Sequence, residues 1–288
     1  VGSEMCIRDR WYPGHMTKAK RAMSEDIKII DIVIEMLDAR APKATSNPDI
    51  EKLASGKSRI IILNKADMAD EKINKEWLAF FESKGCLCMT LDSRKNQFTK
   101  KLMPLIEIAA KEKRERDLKR GIKNRPVRTM ITGIPNVGKS TLINSIVGKS
   151  MAKTGNKPGV TKGNQWIRIN KTVELLDTPG ILWPKFEDEH TGEMIAFIGS
   201  INDMIVDTTE LASTFIEWCF KNDGSILKER YEITGNTVEE VLKEIAIKRS
   251  CLKKGNEYDY EKASSILIQD FREGKLGRIS LEKPKEAE

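Results

Sequence analysis

The sequence predicts an α/β fold, a mostly parallel sheet with flanking helices, followed by a small all-α C-terminal domain. Three observations carry this. Val127-Arg128-Thr129-Met130-Ile131-Thr132 reads as a strand that runs into a glycine-bounded loop and then into a helix over Ser140 to Val147. A second apolar strand, Ile60-Ile61-Ile62-Leu63, ends in Asn64-Lys65-Ala66-Asp67. Beyond Thr191 the pattern turns helical, at about 192–201, 209–221, 237–249 and 258–273. Strands that alternate with helices give a parallel sheet, and an unbroken series of helices gives a separate all-α layer.

The loop is Gly133-Ile134-Pro135-Asn136-Val137-Gly138-Lys139-Ser140, followed by Thr141. It fits G-x-x-x-x-G-K-[ST], the loop that wraps nucleotide phosphates. Its two glycines let backbone N–H groups, those of Val137 and Gly138 among them, turn inward as an anion nest. Lys139 sets a point charge against the β- and γ-phosphates, and Ser140 offers a hydroxyl to Mg²⁺. The helix that leaves the loop points its N-terminus at the phosphates. A chance glycine-rich turn would not come with both the strand and the helix in place.

Asn64-Lys65-Ala66-Asp67 fits N-K-x-D and selects the base. A carboxylate at Asp67 accepts from guanine N1–H and from the exocyclic amine. Adenine has neither donor there, so guanine is preferred. Four residues alone are a weak match; beside a phosphate loop they are a strong one. Asp177-Thr178-Pro179-Gly180 supplies the D-x-x-G segment, with Asp177 on Mg²⁺ through water and the Gly180 N–H facing the γ-phosphate. The order is base, phosphate, switches, with the base motif about 70 residues ahead of the loop. In most GTPases the base motif follows the loop, so this is a circularly permuted P-loop GTPase domain that takes GTP or GDP.

In chain order, residues 1–10 read as non-native: Met5-Cys6-Ile7-Arg8-Asp9-Arg10 resembles translated adapter sequence, which can also hide the natural start. The permuted GTPase domain is expected over 11–205 and the helical domain over 206–288. Trp11 to Met16 is followed by an amphipathic helix to about Lys28, then a strand over Ile29–Leu37 that ends in Asp38-Ala39-Arg40-Ala41-Pro42. A loop and short helix lead to the base-motif strand. Glu71 to Lys84 is a helix with Trp77, Phe80 and Phe81 on its apolar side, and Cys86 to Leu91 is the next strand. Ser93 sits where a backbone N–H can read guanine O6. Thr99 to about Lys119 is one long helix, apolar first and charged later, and Gly121 to Arg125 is a linker. Lys153 to Gly163 is loop-like, and its Thr161 is the candidate switch threonine that closes on Mg²⁺ in the triphosphate state. Gln165–Ile169 and Thr172–Leu176 form a hairpin around Asn170-Lys171. No strand follows the second switch to absorb its movement, so the helical domain should feel loss of the γ-phosphate contact.

Of 288 residues, 39% are apolar and 32% charged, as in a soluble globular protein, and no apolar run approaches the ~20 residues of a membrane helix. No membrane partner is expected. Net charge is +7, yet Asp207 onward holds fourteen basic against seventeen acidic residues. The excess therefore lies earlier, and Lys111 to Arg128 alone holds nine basic and three acidic residues. Such a surface suits a phosphate backbone; a solvated helix and linker is the plainer alternative. Cys6, Cys86, Cys88, Cys219 and Cys251 lack zinc spacing, which suits a reducing, cytoplasmic location.

These motifs together resemble a known family, the circularly permuted YlqF/RbgA-type GTPases of bacterial large-subunit assembly. The likeness rests on Trp11 to Met16, Asp38 to Pro42, Asn64 to Asp67, Gly133 to Thr141, Lys157 to Thr161 and Asp177 to Pro184. Lys248 to Leu252 and Gly274 to Arg278 look like its C-terminal signatures, so the resemblance covers about 11–283. The N-terminal decamer and Ser93-Arg94, in place of the usual Ser-Ala, depart from it. The resemblance implies a GTP-hydrolysing assembly factor for the late large (50S) ribosomal subunit, with rRNA and ribosomal proteins as partners and a monomer off the ribosome.

Many GTPases carry a glutamine after D-x-x-G to orient the attacking water; here the residue is Ile181, which cannot. Of the two histidines, His15 and His190, the resemblance points to His15 as the catalytic one, beside Lys139, Thr161 and Gly180. A capping or RNA-facing histidine is the alternative. Asn136 resembles the asparagine of GTPases that bind K⁺ beside the phosphates, where the ion replaces an arginine finger; bracing the loop is the plainer role. Two further readings stand: a GTP-gated scaffold with negligible hydrolysis, and a GTPase acting on another RNA target.

Overall fold

The structure is a computed structural model and describes residues 14–92, 98–123, 125–151, 165–183, 186, 188–203 and 206–284. Those of Tyr12–Lys185 and Ser280–Glu288 form one compact unit, and those of Phe186–Ile279 form another.

The first unit opens with α1 (Gly14–Asp26) and a short 3₁₀ turn, then β1 (Ile32–Asp38), α2 (Pro42–Thr45), α3 (Pro48–Leu53), β2 (Ser58–Asn64), α4 (Glu71–Ser83) and β3 (Leu87–Leu91). It continues with α5 (Phe98–Ala109), α6 (Lys111–Lys119), β4 (Val127–Thr132), α7 (Lys139–Met151), β5 (Gln165–Arg168) and β6 (Val173–Asp177). The strands lie in the order β3-β2-β1-β4-β6-β5, all pairs parallel except β5 with β6. Every β1 residue is buried, as in a central strand covered on both faces. The chain steps outward from β1 to β2 and β3, then returns to lay β4 on the other side of β1. That reversal makes a topological switch point, where open α/β sheets open a crevice at the carboxyl ends of their strands.

Helices cover the sheet through their apolar stripes. Met23 of α1, Ile27, Val33, Ile50 of α3, Met130, Leu176 and Ile181 form one buried cluster. Leu37, Ile61 and Leu63 pack with Trp77 of α4, whose ring stacks on Phe81 at 5.7 Å. α5 packs on β2 and β3. The single long helix expected over 99–119 is two helices meeting at Ala110, because its apolar half has a sheet to bury against and its charged half buries no residue. The strand expected from Ile29 starts at Ile32, since Ile27–Ile29 finish α1 as a 3₁₀ turn.

The second unit holds α8 (Glu189–Phe197), α9 (Thr208–Asn222), α10 (Ser225–Tyr231), α11 (Val238–Lys248) and α12 (Tyr260–Arg272). Side chains cap the starts of all but α10: Asp207 accepts from the Thr209 and Glu210 N–H groups, and Thr237 forms a capping box with Glu240. The core is a triad of rings, with Phe215 lying 5.2 Å from Phe197 and 4.8 Å from Phe271. Arg272 of α12 donates to the Ala196 and Phe197 carbonyls and to Asp203. α10 adds a helix that the sequence pattern did not single out; its seven residues are too few to show a period.

The division differs from the 205/206 boundary expected above. α8 joins the helical unit because Phe197 completes its aromatic core, and Ser280 onward returns to the sheet unit through contacts described below. Among the described residues, no helix is long and apolar enough to cross a membrane.

Candidate functional site

Parallel strands place their carboxyl ends on one edge, so the permuted motif order does not matter in space. β1 ends at Asp38, β2 at Asn64 and β6 at Asp177, and β4 runs into the glycine-bounded loop. The loop turns through left-handed backbone at Asn136 (φ +60°) and Gly138 (φ +102°), which aims its N–H groups inward. At Gly133 (φ +148°) a Cβ would lie 2.5 Å from the Met36 carbonyl oxygen, so only glycine lets the loop pass β1. Ser140 and Thr141 are exposed in the first turn of α7. Lys139 is buried and folds back over the loop, its Nζ donating to the Gly133 and Ile134 carbonyls at 2.9 Å each. Burial pushes its pKa down to about 8, and the Asp177 carboxylate opposes the fall, so the amine stays cationic at neutral pH.

Side chains strap the base motif to this loop. Asn64 Nδ2 donates to the Val137 carbonyl at 2.7 Å. Lys65, itself left-handed (φ +57°), sends Nζ to the Asn136 carbonyl and to Asp38 Oδ2, both at 2.9 Å. Asp67 follows in a half-buried 3₁₀ turn. Asp38 is wholly buried and is held by Arg40 through Nε (2.9 Å), Nη2 (2.8 Å) and the backbone N–H (3.1 Å). Burial alone would raise this carboxyl; the Arg40 and Lys65 charges overcome it and hold the pKa well below the usual carboxylate range.

The D-x-x-G segment lies against the loop from the other side. Asp177 is buried, and Thr178 Oγ1 donates to the Ile131 carbonyl at 2.7 Å. A Cβ at Gly180 would meet the Pro135 backbone at 2.9 Å and Lys139 Nζ at 3.0 Å, so the absent side chain is what lets the segment close. The Ile181 N–H donates to the Gly133 carbonyl at 3.3 Å, while its side chain is 2% exposed in the core cluster. Its carbonyl accepts from Asn47 Nδ2 at 3.0 Å, and the Asn47 N–H donates in turn to Glu35. Burial raises the Glu35 carboxyl pKa, and Arg59, 2.8 Å away, works against the rise.

The far C-terminal residues brace the same edge. The Leu281 N–H donates to the Arg40 carbonyl at 2.7 Å, and Ser280 Oγ accepts from the Asp70 N–H. The Glu282 carboxylate accepts from the Lys43 and Ala44 N–H groups at the start of α2, and its carbonyl accepts from Trp77 Nε1. Sequence reasoning gave no role to Glu35, Asn47 or Glu282. An acid interrupting the continuous apolar run of β1 is the one signal that could have flagged Glu35.

Ser93 and Thr161 lie outside the described residues. His15 is the second residue of α1, and its side chain also lies outside them. His190 is half exposed on α8, with Nδ1 3.7 Å from Glu193.

A family model described as 50S ribosome-binding GTPase matches residues 128–249. Its match begins at β4, so the base motif at 64–67 lies upstream of it, as the permuted order requires. A Ribosome biogenesis GTPase A from Bacillus cereus is 43% identical over 279 residues, covering 96% of this chain and 94% of that protein. The chain belongs to the Ribosome biogenesis GTPase A family. The protein of that name from Thermotoga maritima is 35% identical over 282 residues, 96% of this chain and 95% of its own length. The crystal structure of GNP-bound YlqF from T. maritima matches with a TM-score of 0.65 at 32% identity, over 93% of this chain and 99% of that one. As a family member the chain is a guanine-nucleotide-binding GTPase of ribosome biogenesis.

Proposed function

We propose that the chain hydrolyses GTP at the carboxyl edge of its sheet while bound to the maturing large ribosomal subunit, and leaves after hydrolysis. The observation that carries the reading is the convergence of the three motifs, which hydrogen bonds from Asn64, Lys65 and Ile181 strap to one loop. Lys139 is poised to exchange two loop carbonyls for phosphate oxygens, and the N–H groups of Val137, Gly138, Ser140 and Thr141 line the anion path. Asp67 reads guanine, with the Ser93 N–H as the second contact to the base.

The hydroxyl of Ser140 and the carboxylate of Asp177 are hard oxygen donors of the kind Mg²⁺ takes, with Thr161 as the third in the triphosphate state. When bound there, Mg²⁺ would supply positive charge against the phosphates. Asn136 is exposed on the loop with an amide oxygen suited to K⁺, which would supply the positive charge of an absent arginine finger. Burial of Ile181 removes the residue after D-x-x-G from the reaction. Water orientation then falls to His15, which contact with the particle would align, so turnover off the ribosome is slow. The same burial favours a second reading, a GTP-gated scaffold with negligible hydrolysis. The protein works as a monomer off the ribosome and in the cytoplasm.

The test is GTP turnover in K⁺ and in Na⁺, with purified large subunits and with small subunits as the control. Strong stimulation by large subunits alone, greater in K⁺ and lost in His15→Ala, is expected. No stimulation by either particle would favour the scaffold or another RNA target, and equal rates in both salts would remove the K⁺ role.

A further inference from the structure

We propose that a groove on the amino edge of the sheet, at the opposite ends of the strands from the nucleotide site, is a docking site for the phosphate backbone of ribosomal RNA. It is a cavity of about 770 Å³ between the end of α6, the linker into β4 and the β5–β6 turn. Four cations line it: Arg114, Arg125, Arg168 and Lys171. The one acid among its lining residues, Asp117, already lies 3.7 Å from Lys113. Arg125 and Lys171 are exposed and have no carboxylate partner among the described residues. The residues come from segments about 50 apart in sequence, so folding and not one basic run makes the patch.

The frame beneath the groove is fixed. The Val127 N–H donates to the Thr172 carbonyl at 2.8 Å, and the Ile122 N–H to the Asp117 carbonyl at 2.9 Å. Lys113 reaches both Asp31, at 2.7 Å, and the Pro126 carbonyl, at 3.3 Å. These bonds hold α6, the linker and the turn at set spacings; Arg114 is paired with Glu107, so Arg125, Arg168 and Lys171 supply the open charges of a shaped positive surface.

Two features favour nucleic acid over an acidic protein. Trp166 is 42% exposed on the edge strand β5, two residues before Arg168 and therefore on the same strand face, with the Arg128 guanidinium 5.4 Å from its ring. An exposed ring beside guanidinium groups is the platform on which unpaired bases stack. Exposed Leu118 and Ile122 add an apolar wall suited to sugar and base faces. Strands of five or six residues put this groove about 20 Å from the phosphate loop, so RNA and nucleotide can be held at once. The inference rests on the ribosomal reading above and names the surface that this reading needs.

The test pairs Arg125→Glu with Lys171→Glu in the full chain. Sedimentation with purified large subunits and filter binding to protein-free rRNA extracted from them are measured between 50 and 200 mM KCl. For the double variant we expect at least tenfold weaker binding to both, a salt slope lower by about 2, and unchanged GTP turnover without ribosomes. Equal affinity and slope for variant and wild type would overturn the proposal. Loss of subunit binding with rRNA binding intact would assign the groove to a ribosomal protein and overturn it too. Failure of the wild-type chain to bind large subunits at all would instead count against the ribosomal reading, since then no variant is needed to see it.

Discussion

The two edges of the sheet use the same kind of side chain to opposite ends. At the carboxyl edge Arg40 and Lys139 are buried and Lys65 is largely so, and each cation has a partner: Arg40 and Lys65 meet Asp38, and Lys139 meets two loop carbonyls. At the amino edge Arg125, Arg168 and Lys171 stand in solvent. A buried cation has a single geometry, and the burial cost is met only by well-placed acceptors. An exposed cation is held loosely and screened by salt. The first arrangement builds a stereospecific pocket for a small polyanion, and the second suits a long backbone whose exact register matters less. Position along the strand, not residue type, decides which job a cation does.

The contrast can be broken most sharply at Asp38. Asp38→Asn leaves two cations at a neutral amide, and loss of about 3–5 kcal/mol in unfolding free energy is expected from denaturant melts. Because the Asp38 pKa is lowered in the fold, its contribution is present above the ordinary carboxylate pKa and fades as pH falls below it, so the wild-type advantage should shrink in acid. Next comes Lys139→Ala, which removes charge-assisted bonds to phosphate and should weaken GDP binding about 100-fold in a fluorescence titration, with the fold kept. Gly180→Ala forces a methyl onto the Pro135 backbone, an overpacking of roughly 1–3 kcal/mol that should appear as slower turnover and a lower melting temperature. If melting were unchanged, the close approach of the two segments would be wrong.

A pH titration sharpens the same point more gently. With the Lys139 pKa near 8 and the nucleotide favouring its charged form, binding at pH 8.5 should take up protons, and affinity should decline as pH rises through 8. Calorimetry in two buffers of different ionisation enthalpy reads this directly; no net uptake would mean that the amine is not at the phosphates. The smallest effect expected at the carboxyl edge is that of the amino-edge double variant, less than about twofold on GDP affinity.

How much of this was legible depends on how far each interaction reaches along the chain. The phosphate loop, N-K-x-D and D-x-x-G are local patterns whose chemistry requires those residues at those spacings, so they stand out in the sequence. Asp38 and Arg40 carried a family likeness but no role, since what joins them to the base motif is the bond from Asp38 to Lys65, just past the end of β2. Glu282 braces α2 across 239 residues, and no periodicity announces such a contact. The helical boundary shifted for a similar reason: α8 belongs where Phe197 finds Phe215, which only packing reveals. The amino-edge groove was half visible, as the basic run 111–128; Arg168 and Lys171 joined it only through the hairpin.

The most direct measurement is GDP affinity for Asp38→Asn and for Arg125→Glu with Lys171→Glu, side by side, each checked for folding. Affinity should fall at least tenfold in the first and stay within about twofold in the second. Equal losses in both, or a loss only in the second, would contradict the division of labour between the two edges.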